Sequence, residues 1–262
     1  MASTQFPSWL KRLKRARWVS PVILILIWEA ASRSGLIPDR TLAAPSLVIG
    51  TLWSMLVSGE LAGNLLVSLG RAACGLAIGV SLGVALALIA GLTREGEAAV
   101  DSPVQMLRTL PALALSPLFI VWFGIGETPK IALIAFATLF PVYLNLYNGI
   151  RAVDVRLIDA GRSFGLSRLQ IVTEIVLPSA LPQLLVGLRY AFSVAVLILV
   201  VAEQINASAG LGFLINNARD FMRTDIIVVC LLVYAGLGLA ADQTVRFIET
   251  RALAWRPKLV EG

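Results

Sequence analysis

Apolar stretches of membrane-spanning length, separated by short charged interruptions, govern what this chain can fold into. No charged side chain occurs from Ala72 to Thr93, and apolar runs with few charges recur along the rest of the sequence. A helix needs about 20 apolar residues to cross a hydrocarbon core of roughly 30 Å. Of the 262 residues, 58% are hydrophobic and 15% charged, against about 25% charged in an average globular domain. The fold expected is an all-α integral membrane protein. Strand-like alternation does not recur, which argues against an outer-membrane barrel. The absence of histidine removes the commonest general base and metal ligand. Cys74 and Cys230 lie far apart in apolar segments and read as small buried residues, not as a disulfide or metal pair. With no metal cluster, no nucleophile–base motif and no GxxxxGK[ST] phosphate loop, neither an enzyme nor a nucleotide site on this chain is expected.

Six spans are expected, at residues 18–37, 64–91, 108–124, 130–149, 184–205 and 225–246. The basic cluster Lys11, Arg12, Lys14, Arg15 and Arg17 precedes the first and reads as an anchor on anionic membrane lipid, not a nucleic-acid site. With the N-terminus inside, the cytoplasmic segments carry thirteen Lys and Arg against three on the other side. The positive-inside rule then places both termini in the cytoplasm. Three parts are expected: 1–59, with the basic tail, first span and an external surface helix; 60–250, the transmembrane domain with a cytoplasmic loop at 150–183; and 251–262, a cytoplasmic tail. The surface helix starts at Pro45-Ser46 and sets Leu47, Thr51, Leu52 and Met55 on one side. Gly75, Gly79 and Gly83 form a small-residue stripe that lets another helix approach closely, by default within the chain, alternatively in a second copy. Pro111 and Pro117 interrupt the third span, as a packing kink or as a break along a transport path.

The loop contains "DAGRSFGLSRLQIVTEIVLP", residues 159–178. Asp154 reads as an N-cap, followed by an apolar stripe of Leu157, Gly161 and Phe164. Gly165 suits a left-handed helix cap. Ser167 with Gln170 fits a capping box, and Leu169, Val172, Ile175 and Val176 form a second stripe, closed by Leu177-Pro178. Two short helices at an angle are expected on the cytoplasmic face, with Arg156, Arg162 and Arg168 outward. Such an element rests on headgroups or docks into a groove on a soluble partner. Asp159 and Glu174 weigh against headgroups alone.

The spacing of this stretch resembles the "EAA" loop of the permeases of bacterial ABC importers: Glu-Ala-Ala, three residues, Gly, nine residues, Ile, one residue, Leu-Pro. Asp159-Ala160-Gly161 stands at the first triplet, Gly165 at the glycine, and Ile175, Leu177 and Pro178 at the end. The departures are Asp for Glu, which keeps the charge, and Gly161 for Ala, which costs about 1 kcal/mol of helix propensity. "LRTLPALALSPLFIVWFGIGETPKI", "ATLFPVYLN", "LPSALPQLLVGLRYA" and "VAEQINASAGLGFLI" extend the likeness to the branch carrying sulfonates, taurine, nitrate or bicarbonate, and look most similar to aliphatic-sulfonate permeases. The resemblance implies a type I importer permease in the bacterial inner membrane that works by alternating access. It implies a second permease copy, identical or paralogous, two cytoplasmic ATPase subunits that bind ATP and Mg, and a periplasmic substrate-binding protein. It further assigns ATPase coupling to Asp159, Ala160, Gly161, Ser163, Gly165, Ile175, Leu177 and Pro178. No cofactor is implied on this chain.

Charges inside spans are rare and have reasons. Arg71 and Glu203 both fall near the external ends of their spans, so a structural Arg71–Glu203 pair is expected. Arg189, near the cytoplasmic interface, is expected to snorkel. Ser116, Tyr143, Asn145 and Gln204 are the candidates for lining a substrate pathway. An ion-coupled secondary transporter is the alternative class; it predicts titratable groups deep in the spans and inverted repeats, and neither is evident.

Overall fold

The computed structural model describes residues 8–205 and 207–254, with side chains described from residue 19 onward. The side chains of the basic N-terminal cluster and the tail from residue 255 lie outside the described residues. All regular structure among the described residues is helical. In order come α1 (Ser8–Arg33), α2 (Pro45–Val57), α3 (Glu60–Leu92), α4 (Arg94–Leu107), a 3₁₀ turn at Ala112–Leu115, α5 (Ser116–Phe123) and α6 (Thr128–Arg151). Then follow α7 (Val155–Ser163), α8 (Arg168–Gln170), a π-helical turn at Ile171–Val176, α9 (Leu177–Gln204), α10 (Leu211–Asp220) and α11 (Thr224–Ala252). Among the described residues, four helices are long and apolar enough to cross a membrane: Glu60–Leu92, Thr128–Arg151, Arg168–Gln204 and Thr224–Ala252. The chain divides into two compact units, Met1–Ala62 with Leu214–Leu232, and Gly63–Phe213 with Val233–Gly262.

In the first unit α1 stops at Arg33, short of the expected Ile37. Pro45 sits in the first turn of α2, where its missing N–H costs nothing, and Val48, Thr51 and Met55 are the residues it buries. Thr51 and Met55 face inward as expected, while Leu47 is exposed and Val48 takes its place. Thr51 Oγ1 donates to Asp225 Oδ2 at 2.7 Å, and Arg223 clamps the same carboxylate.

In the second unit, helix approach is set by glycines. A side chain at Gly75 would meet Ile134 at 2.6 Å, one at Gly79 would meet Thr138 and the Ala135 carbonyl, and one at Gly83 would meet the Leu139 carbonyl at 2.7 Å. The stripe on α3 is therefore filled by α6 of the same chain. Gly149 against Ala180, and Gly187 against the Pro141 carbonyl, bring α6 and α9 together in the same way. Arg189 Nη2 donates to Glu249 Oε2 at 2.6 Å, tying α9 to α11. Cys230 is buried as expected, whereas Cys74 is exposed.

The third span departs from expectation. In place of one helix over 108–124, α4 and the Ala112–Phe123 segment meet at a bend of 86°. Pro111 has no N–H and restricts the residue before it, so the chain breaks ahead of it. The α4 half, read from sequence as an interhelical segment, is an amphipathic helix capped by Thr93, whose Oγ1 accepts from Gly96 N at 2.9 Å.

Candidate functional site: a capped loop and a buried ion-pair group

The loop at 154–178 is built from local caps. Asp154 Oδ1 accepts from Arg156 N at 2.9 Å, which starts α7; this bond and the Arg156 side chain hold the Asp154 carboxyl below its ordinary pKa. At the other end Leu166 N donates to Gly161 O and Gly165 N to Arg162 O. That double bond pattern is a Schellman motif, with Gly165 at φ +81°. Ser167 and Gln170 then form a reciprocal capping box, Ser167 N to Gln170 Oε1 at 2.9 Å and Gln170 N to Ser167 Oγ at 3.3 Å.

Two expectations change here. The second helix does not close at Leu177-Pro178: residues 168–204 form one continuous helix with α9. Pro178 cannot donate to the Glu174 carbonyl, and the ladder accommodates it through the π turn at Ile171–Val176 just upstream. The inward face also differs. Gly161 is buried, against Ile175 Cδ1 at 2.6 Å from a built side chain, while Leu157 and Phe164 are exposed. Ile171 and Val176 anchor the loop in a core with Val104, Tyr143, Leu146 and Ile150, backed by Ile158 and Leu166. Leu157, Phe164 and Leu169 are left 51%, 86% and 73% exposed, large apolar side chains on a small polar loop. Asp159, Ala160, Ser163 and Gly165 are exposed as well, and Ile175, Leu177 and Pro178 half-buried. Asp159 pairs with Arg162 at 3.1 Å, Arg156 with Asp154, and Arg168 is exposed.

The second constellation gathers around Arg71. Its Nη1 donates to Glu203 Oε1 and to the Ala209 carbonyl, each at 2.7 Å. Its Nε and Nη2 take both oxygens of Glu127, and Lys130 Nζ reaches Glu127 Oε1 at 3.2 Å. Glu203 is fully buried and saturated, accepting also from Ser68 Oγ, Gly212 N at 2.9 Å and Tyr234 Oη at 3.0 Å. Its charge lies at the start of α10, where free N–H groups favour an anion. Asn64 and Ser68 hold the next two amides, Gly210 N at 2.7 Å and Leu211 N at 2.9 Å. Glu127 is held at about 2, against an ordinary 4.5, first by the Arg71 hydrogen bonds and then by Lys130, in opposition to its desolvation. Sequence reading missed Glu127, Lys130, Ser68 and Tyr234; Glu127 and Lys130 flanking a helix start at a spacing of three was the available signal.

The four pathway candidates are not brought together. Ser116 is buried and lines a pocket beside Lys130. Tyr143 is fully buried and donates to Asp101 Oδ1 at 2.8 Å. Asn145 donates to the Pro141 carbonyl of its own helix at 2.8 Å, and Gln204 is exposed at the end of α9.

Residues 79–253 match the family model described as the inner membrane component of binding-protein-dependent transport systems. The chain is 44% identical over 255 residues, 97% of it and 96% of the relative, to the permease protein SsuC of Escherichia coli (strain K12), named for aliphatic sulfonates transport. It is 32% identical to the taurine transport system permease protein TauC of the same organism, over 89% of this chain and 86% of that one. Among solved structures, a chain of an amino acid ABC transporter superposes with a TM-score of 0.62 at 19% identity, covering 76% of this chain and 98% of that one. One of the MetNI methionine ABC transporter superposes with a TM-score of 0.57 at 19% identity, covering 73% and 97%; both likenesses speak to fold alone.

Proposed function

We propose that this chain, which belongs to the family of binding-protein-dependent transport system inner membrane components, carries aliphatic sulfonates through its membrane. Being a permease subunit of an ABC importer, it hydrolyses no ATP; a separate ATPase supplies that. The observation that carries the sulfonate reading is the 44% identity to the permease named for aliphatic sulfonates, against 32% to the one named for taurine. Taurine, nitrate and bicarbonate are the competing cargoes.

The 154–178 loop is the surface on which the ATPase docks. Leu157, Phe164 and Leu169 supply the apolar contact area, the sort of exposed apolar cluster that marks an interface. Asp159 meets a basic residue on the ATPase, and Ala160 with Gly161 permits close approach. Ser163 and Gly165 hold the turn. Ile175, Leu177 and Pro178 lie on the helix that continues into α9, so force applied to the loop moves a span directly. Two identical copies of the chain, two ATPases and a periplasmic binding protein complete the transporter in the bacterial inner membrane. Each copy has six spans and both termini in the cytoplasm. ATP binding then shifts an inward–outward equilibrium. Arg71 and Glu203 act as a structural lock.

Purification of the chain with its ATPase and binding protein, followed by uptake of radiolabelled hexanesulfonate into proteoliposomes, tests this. ATP-dependent uptake that excess taurine does not inhibit is expected. Uptake of taurine in preference to hexanesulfonate reassigns the cargo.

A further inference from the structure

Helix α4 is fastened to α6 by a row of polar contacts. Glu97, Asp101 and Gln105 stand at four-residue steps on α4, and Tyr143, Tyr147 and Arg151 at four-residue steps on α6. Such a step keeps each row on one face of its helix. Tyr147 Oη donates to Glu97 Oε1 at 2.6 Å, and Arg151 Nη2 pairs with Glu97 Oε2 at 3.3 Å. Tyr143 Oη donates to Asp101 Oδ1 at 2.8 Å, and Gln105 Nε2 reaches the same oxygen at 3.2 Å. The two tyrosine rings stack, 5.7 Å apart and 9° from parallel. Apolar burial is non-directional and lets one helix slide on another, whereas hydrogen bonds from phenols to carboxylates hold a single register.

The row stands on the core that anchors the 154–178 loop. Tyr143 shares that core with Ile171 and Val176 of the π turn and Val104 of α4. At its far end α4 stops ahead of Pro111, and the chain bends by 86° into the segment carrying α5. α5 packs on another part of α6: Phe119 meets Phe136 at 5.9 Å, and Phe136 meets Phe140 at 4.9 Å. Pro141 lies inside α6 between those phenylalanines and the tyrosines, and lacks the N–H that would bond the Ala137 carbonyl. Both routes from the tyrosine row to α5 therefore pass through a proline, where a helix bends most easily.

We propose that Tyr143 and Tyr147 are positioning residues for transport. They make α4 part of what the ATPase moves, so that the loop, α4 and the end of α6 travel as one body about Pro111 and Pro141. The proposal rests on the docking reading above and deepens it by adding a second helix to the moving part. Without the two hydroxyls α4 lags behind the loop, and hydrolysis proceeds with little transport.

Tyr143→Phe with Tyr147→Phe keeps both rings and removes both hydroxyls. The assay is proteoliposomes holding the permease, its ATPase and its binding protein, with whichever of hexanesulfonate or taurine the wild type takes up. Uptake per ATP hydrolysed is expected to fall ~10-fold, the factor for losing about one charge-assisted hydrogen bond, while ATPase recovery and hydrolysis stay near wild type. A merely structural link predicts a lower Tm with the ratio unchanged, and that result overturns the proposal. If the paired variant does not fold, Tyr147→Phe alone, at the half-buried end of the row, is read in the same way. A covalent link supplies the second test. Glu97→Cys with Arg151→Cys, joined by a short bismaleimide in a chain whose exposed Cys74 is replaced by serine, is expected to restore the ratio lost in Tyr143→Phe with Tyr147→Phe. A cross-link that fails to restore it, or that stops transport when both tyrosines are present, means that α4 moves against α6 and overturns the proposal. The docking reading fails separately: ATPase recovery unchanged by Phe164→Ala and Asp159→Lys removes the loop as the docking surface, whatever the tyrosine variants do.

Discussion

Arg71 Nη1 donates to Glu203 Oε1 at 2.7 Å with both side chains buried, joining α3 to α9 across 132 residues of sequence. Removing one partner leaves an uncompensated charge in a low-dielectric site, which costs about 3–5 kcal/mol. Glu203 is the more exacting partner because it is 0% exposed, whereas Glu127 is half exposed and can rehydrate. Arg71→Met is therefore expected to lower the Tm in detergent more than the double variant Arg71→Met with Glu203→Gln. Strictly additive losses would remove the lock.

Gly79 faces the Thr138 hydroxyl and the Ala135 carbonyl, the latter at 2.5 Å from a built side chain. Backbone cannot yield as a side-chain tip can, so the helices must separate. Gly79→Val is expected to cost about 1–3 kcal/mol by overpacking, while the same change at Gly70, which meets nothing within 4 Å, costs far less. Paired thermal-stability measurements check the contrast. A defect confined to dimer assembly in Gly79→Val would instead place the stripe between copies.

The caps were legible because they are local. Asp154, Gly165 and the Ser167–Gln170 box each depend on residues within four positions, and each takes the expected geometry. The Arg71–Glu203 contact was legible for another reason: two charges at the same expected depth in a medium that penalises charge have few alternatives. What failed depends on distant packing. Nothing near Phe164 or Leu157 says that Ile158 and Leu166 would take the inward face. The break in the third span was signalled by Pro111, but a proline alone does not specify its 86° angle. Pro178 was read as a terminator because proline removes a helical bond; the π turn upstream absorbs the loss and the helix continues.

Gly165 sits at φ +81° with no atom within 4 Å of a built side chain. Substitution there carries backbone strain alone, about 1–2 kcal/mol for a non-glycine residue. Gly165→Val is expected to leave membrane insertion and yield unchanged while lowering ATPase-driven uptake. Normal uptake by this variant would mean the turn does not transmit force.

Phe164 is 86% exposed and Asp159 pairs with Arg162 on its own helix. Phe164→Ala removes a contact of the size that dominates interfaces and is expected to cost about 2 kcal/mol of docking energy, read as ATPase lost on co-purification. Asp159→Lys is expected to weaken recovery further as salt is lowered, because reversed charge repels most strongly when least screened. Recovery independent of both changes would remove the loop as the docking surface.

Glu127 supplies the pH dependence. Its carboxyl is depressed from 4.5 to about 2 by Arg71 and then Lys130. A depressed carboxylate binds fewer protons folded than unfolded, so its stabilisation is complete above the unfolded value near 4.5 and is lost as pH falls through about 2. The Tm difference between wild type and Glu127→Gln is therefore expected to stay level from about pH 7 to 5 and to shrink as the pH is lowered from about 4.5 towards 2. The comparison cancels the carboxylates common to both proteins. A difference that already shrinks between about pH 7 and 5 would mean that Arg71 does not hold this carboxylate in the folded protein.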